Sequence, residues 1–121
     1  MVELPIGNTY RIGEKEFSFS LAESPLELMT GLKGVSLEGL APYDGMLFDF
    51  GTSELIIMTP RGCVMSLELA FLNEDGVITE ITKLDPWLGY TQAASSKVRY
   101  ALEVPIGFFE THNIQVGDIL V

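Results

Sequence analysis

Glu68 is the side chain best placed to do chemistry, because it interrupts the apolar run Met65-Ser66-Leu67-Glu68-Leu69-Ala70-Phe71-Leu72. In a strand, Leu67, Leu69 and Phe71 point one way and Ser66, Glu68 and Ala70 the other. A carboxylate among such small and apolar neighbours requires a partner. The matching cation is Arg99, in Val98-Arg99-Tyr100-Ala101-Leu102-Glu103-Val104, where alternation turns Val98, Tyr100, Leu102 and Val104 towards the core and Arg99 and Glu103 to the other face. If the two strands are neighbours, Glu68 and Arg99 meet in a charge-assisted contact. Such a pair either orients a ligand or satisfies an acid trapped in the sheet. Glu68 as general acid or base, with Arg61 or Arg99 stabilising negative charge, describes a small hydrolase-like enzyme instead. That chemistry needs a second proton carrier and none accompanies Glu68, so no catalytic residue is assigned.

Two aromatic residues, Trp87 and Tyr90, lie in the long segment Asp85 to Ser96, which carries Pro86, Gly89 and two serines. They either fold back as a lid on the core or form an exposed contact platform. A groove between this loop and the face bearing Glu68, Arg99, Glu103 and Arg61 is the expected binding site. His112, the single histidine, fits the last turn of a short helix, where it meets the negative end of the dipole. Cys63 is the single cysteine, so neither an internal disulfide nor a cysteine zinc cluster is available. Ser24, Ser95 and Ser96 sit in turns or caps without a nucleophile elbow. No metal and no cofactor are expected.

With 17 acidic against 7 basic side chains the net charge is −10, a field that repels phosphate backbones and anionic membrane surfaces. The expected partner is a small ligand or a protein, not nucleic acid or membrane. The 121 residues, 47% of them apolar, fit a single domain, residues 1–121. Met1 to Gly13 has no basic start followed by an apolar core, and no apolar run is long enough to span a bilayer, so a cytoplasmic location is expected.

The elements that position these residues are mainly strands. Thr9 to Ile12 and Lys15 to Leu21 alternate around Gly13-Glu14 as a hairpin. Ser24-Pro25-Leu26-Glu27 combines a capping serine, a first-turn proline and a glutamate three residues on, predicting a helix to Leu32. Met46 to Phe50 and Glu54 to Thr59 are strands, Thr59 to Gly62 is a break, and Cys63 to Asn73 is the longest strand. Glu74-Asp75-Gly76 turns into a partner strand through Val77, Thr79 and Ile81. After the strand ending at Pro105, Phe108 to His112 forms a short helix stopped at Asn113, and Ile119 to Val121 is a final strand. The sum is a β-rich α+β domain, a mostly antiparallel sheet or distorted barrel with two short helices.

These residues resemble the family known as domain of unknown function 192, the uncharacterised ACR family. The likeness rests on Gly31-Leu32, Gly45-Met46-Leu47-Phe48, Ser66-Leu67-Glu68, Phe71-Leu72-Asn73, Val98 to Glu103 and Gln115-Val116-Gly117-Asp118, in order and spacing across about residues 17 to 121. It departs where Ser66 replaces a usual proline, Glu68 a usual aspartate, and Met58-Thr59-Pro60-Arg61 a Trp-Met-Lys-Asn type run. A site built on those groups would be altered or lost in this chain. The resemblance implies a small β-rich fold with no established activity. A binding or interaction module is the leading expectation, and a structural accessory domain the third.

Overall fold

The computed structural model describes residues 3–121. In chain order its elements are β1 (Gly7–Ile12), β2 (Lys15–Ala22), α1 (Pro25–Thr30), α2 (Leu37–Leu40), β3 (Gly45–Glu54), β4 (Ile57–Met58), β5 (Leu67–Leu72), β6 (Ile78–Leu84), β7 (Gln92–Ala93), β8 (Val98–Pro105) and α3 (Phe108–Thr111). Six strands form one sheet in the order β1-β2-β3-β8-β5-β6, while β4 and β7 make a small separate pair. Every pairing in the large sheet is antiparallel except β2 with β3. That parallel step needs a crossover, and the crossover carries α1 and α2 over one face.

Alternation along the strands builds two apolar cores, one on each face. Phe48, Leu67, Leu69, Phe71 and Ala101 pack on one side with Leu32, Val35 and Leu40 from the crossover. Leu47, Ala70, Leu72, Leu102 and Val104 pack on the other with Phe17, Phe19, Phe109 and Ile114. The central strands β5 and β8 are therefore covered on both faces, and four successive residues of β8, Ala101 to Val104, are buried. Gly45 lets β3 approach β8, since a Cβ there would lie 2.5 Å from the Glu103 carbonyl oxygen.

The opening hairpin, the capping box at Ser24 and Glu27, and the left-handed stop at Asn113 all stand as the sequence predicts. Other expectations are corrected. The described residues hold three helices, since Ser36 accepts a hydrogen bond from Gly39 N (3.0 Å) and starts a short one at Leu37. Helix α1 stops at Thr30 because Gly31 takes a positive φ of 50°. The strand expected from Cys63 to Asn73 is only Leu67–Leu72, so β3 with its 10 residues is longer, and β4 keeps only two residues of the expected Glu54 to Thr59 strand.

The sheet is not closed into a barrel, yet its edges are linked at one end. Arg11 and Val121 exchange backbone hydrogen bonds (3.1 and 2.9 Å), and Ile78 N donates to Asp118 O (2.8 Å). The segment expected as a final strand thus bridges β1 and β6 through the isolated pairs Ile12 with Leu120 and Val77 with Ile119.

Candidate functional site

The antiparallel register of β5 and β8 decides which polar side chains can meet. Glu68 stands opposite Val104, and Leu69 opposite Glu103. Arg99 lies five residues along β8 from Val104, an odd step that puts it on the other pleat and roughly 16 Å away at strand spacing. The expected pair between Glu68 and Arg99 does not form. Both faces of β8 are buried at this level, so its alternation separates two cores instead of a core from a polar surface.

Arg99 instead binds two acids near the sheet's end. Its Nε donates to Asp49 Oδ1 (3.1 Å) and its Nη1 to Glu74 Oε1 (3.0 Å). Those carboxylates hold the guanidinium more firmly charged than usual. Ser53 Oγ also donates to Glu74 (2.8 Å), so the cluster ties the end of β3 to the turn between β5 and β6.

Glu68 has a structural partner. Its Oε1 accepts from the backbone N–H of Phe109 (3.1 Å) in the first turn of α3. Gly107, the residue before that helix, has no side chain with which to cap it. Glu68 therefore supplies from β5 the oxygen that a capping serine or aspartate would provide locally. The His112 backbone oxygen closes the other end by accepting from Lys15 Nζ (2.9 Å), while its ring packs against Phe17 and Phe108.

Glu103 is different. It is 3% exposed, and among the described residues no group hydrogen-bonds its carboxyl. Neither oxygen is sealed, because the side chain lines an open cavity of about 270 Å³. The walls come from α1 and the following turn (Leu28, Met29, Lys33), from Phe48 of β3, and from Met58 and Cys63 around β4. Gly31 shapes this wall, since a Cβ there would come within 3.1 Å of the Phe48 ring.

Burial pushes the Glu103 carboxyl up to about 8, so at neutral pH it is mostly uncharged. Cys63 is half-buried in the same cavity and is pushed up to about 11, by burial first and by the neighbouring Glu103 second, against a smaller opposing pull from Lys33. A thiol held protonated is a poor nucleophile. Among the described residues no group of three or more His, Cys, Asp or Glu side chains is arranged to hold a metal. The cavity therefore offers a single carboxyl that can donate, accept or ionise, set among mostly apolar walls to which Thr30, Lys33 and Thr59 also contribute.

The remaining expected site residues stay apart from it. Arg61 is exposed on the turn after Pro60, its backbone N donating to Thr59 Oγ1 (3.1 Å). Trp87 and Tyr90 are 72% and 70% exposed, so they do not lid the core. Tyr90 lines another hollow, of about 410 Å³, with Leu88 and Thr82. That hollow, and one of about 450 Å³ between Leu4 to Ile6 and Leu26, are lined by no buried titratable group.

Sequence reasoning counted Glu103 among the site residues but missed its cavity and the contribution of Cys63, Met58 and Lys33. The available signal was an acid inside Ala101-Leu102-Glu103-Val104, with no polar neighbour on either side to share its burial.

Residues 8–121 match the family described as uncharacterised ACR, domain of unknown function 192, a match that starts earlier than the expected residue 17. The chain is similar to the crystal structure of a provisionally named transcription regulator from Sinorhizobium meliloti 1021, at 24% identity and a TM-score of 0.87 over 100% of this chain and 97% of that one. It is also similar to a protein of unknown function from Novosphingobium aromaticivorans DSM 12444, at 18% identity and a TM-score of 0.81 over 99% and 93%. Both likenesses concern the fold. No curated protein matches the chain.

Proposed function

We infer that this chain, which belongs to the domain of unknown function 192 family, works as a binding module that takes a small ligand, or a partner's side chain, into the cavity above Glu103. One observation carries this reading: a carboxyl 3% exposed, with no hydrogen-bond partner among the described residues, lines an open and mostly apolar hollow. Burial without a partner is unfavourable, so a polar group kept in such a place is a candidate ligand site.

The proposed site lies on the face of the sheet opposite Glu68, the face that β8 alternation gives to both Glu103 and Arg99. A hydrolase-like role for Glu68 loses support because its carboxylate is engaged at Phe109 N. An acid–base role for Glu103 draws some support from its raised pKa. It lacks a companion, since the Cys63 thiol titrates far above neutrality and Lys33 is exposed. A purely structural accessory role would leave the hollow without a use. The net charge of −10 argues against phosphate backbones and anionic membranes as partners, and no helix among the described residues is long and apolar enough to cross a membrane.

The test is a fragment screen read by backbone amide chemical shifts. Shifts are expected at Gly31, Leu32, Met58, Cys63 and Glu103 in the parent chain, and are expected to vanish when Ile57→Trp fills the mouth. A screen that leaves these amides unmoved, or shifts that survive the Ile57→Trp change, ends the reading.

A further inference from the structure

Resting on that reading of the cavity, we propose that its occupant is a primary alkylammonium group, carried either by a free amine or by a lysine side chain of a partner. The floor offers two oxygens and the walls offer no donor committed to them. A neutral acceptor such as a ketone uses only the carboxyl O–H and leaves the carbonyl oxygen unpaired, and an alcohol reaches both oxygens only through neutral hydrogen bonds. An ammonium brings three donors, can engage both oxygens, and forms charge-assisted bonds that are about twice as strong as neutral ones.

The remaining surroundings suit an alkyl stem with a charged tip. Leu28, Phe48 and Met58 line the sides, and Met29 and Ile57, 70% and 68% exposed, ring the mouth. Thioethers and an aromatic ring accept methylene groups, and the ring face also attracts a cation. The field of a chain carrying −10 concentrates cations and disfavours anions.

The titratable groups around Glu103 are few. Its partners across the ladders, Met46 of β3 and Leu69 of β5, do not ionise. Cys63 faces it from the β4 side and Lys33 from the turn after α1. The Lys33 stem lies over Gly62, with Cγ 3.1 Å from the position of a Cβ there. Its ammonium makes no ion pair with Glu103, and Lys33 is exposed. The chain's own lysine therefore does not occupy the floor.

Binding then follows a balanced exchange. The Glu103 carboxyl releases its proton to the buffer, and the resulting carboxylate pairs with the incoming R–NH3+. The wild-type chain can report this directly. Calorimetry with n-butylamine in two buffers of different ionisation enthalpy is expected to show about 0.9 proton released per amine bound at pH 7. Affinity is expected to rise about tenfold from pH 7 to pH 9, a range in which an alkylamine stays protonated. Glu103→Gln is expected to weaken butylamine at least tenfold and abolish the pH slope, while Lys33→Met, which removes the cation at the mouth, tightens binding.

Two further arms separate the sources. An acetyl-Gly-Lys-Gly-amide peptide that binds at least tenfold tighter than butylamine, with loss on lysine acetylation, identifies a partner's lysine, whereas equal or weaker peptide binding identifies a free amine. If 1-butanol binds as well as butylamine, or if affinity falls as pH rises, the ammonium assignment is overturned and the cavity reading survives. If neither compound moves the cavity amides, both are overturned.

Discussion

Glu68 and Glu103 occupy adjacent rungs of the ladder between β5 and β8, one on each face of the sheet, and they lead opposite lives. Glu68 faces the core beneath α3 and spends its carboxylate on the Phe109 amide. Glu103 faces the core beneath α1 and meets no such amide among the described residues. The contrast teaches that an acid in a sheet is explained by what covers its face. A helix that begins above the carboxyl makes it a cap, and a hollow above it makes it a site.

The comparison is broken most severely by removing the ability of Glu103 to ionise. Glu103 stays neutral in the fold up to about pH 8 but ionises near 4.5 in the unfolded chain, so between those values the unfolded chain holds fewer protons and stability falls as pH rises. Glu103→Gln is therefore expected to be more stable than the parent by about 3 kcal/mol at pH 7, with the gap closing by pH 4. Urea unfolding at both pH values reads this, and a Gln variant less stable at pH 7 would mean that a hidden partner holds the acid. Such a gain would fit a site that keeps an unfavourable group for its function.

Glu68 should respond with the other sign. Glu68→Ala is expected to lose about 1 to 2 kcal/mol and to speed hydrogen exchange at the Phe109 amide. Unchanged exchange there would show that the cap is not what holds α3. Arg99→Ala should have a smaller effect, visible as a lowered Tm at low salt that shrinks in 1 M NaCl, because Glu74 in its cluster is 54% exposed while Asp49 is 20% exposed and less screened. Smallest of all, Trp87→Ala is expected to change stability by less than about 0.5 kcal/mol, since that side chain is 72% exposed.

Much of the framework was legible in the chain itself. The hairpin around Gly13, the helix start at Ser24, the turn at Glu74 to Gly76 and the end of β8 at Pro105 each carry local chemistry that fixes them. The site was less legible, for two reasons. Alternation reveals which residues share a face but not what covers that face, and in β8 both faces are covered. Register is the second reason: Glu68 and Arg99 look complementary until the pairing of Glu68 with Val104 puts them on opposite pleats. The Cys63 and Lys33 walls arise from segments distant in sequence, and no local pattern brings them together. Helix α2 is only four residues long, too short for periodicity to announce.

The segment that bridges Arg11 and Ile78 has a consequence for how this protein fails. One short stretch shields both raw margins of the ladder at the same end, so a single fraying event there uncovers two unsatisfied rows of amides and carbonyls together. Its contacts with β1 join parts of the chain more than a hundred residues apart, the class of contact whose loop-closure entropy makes it slow to form. Self-association under mild stress should therefore start at this seam, well before the interior strands let go.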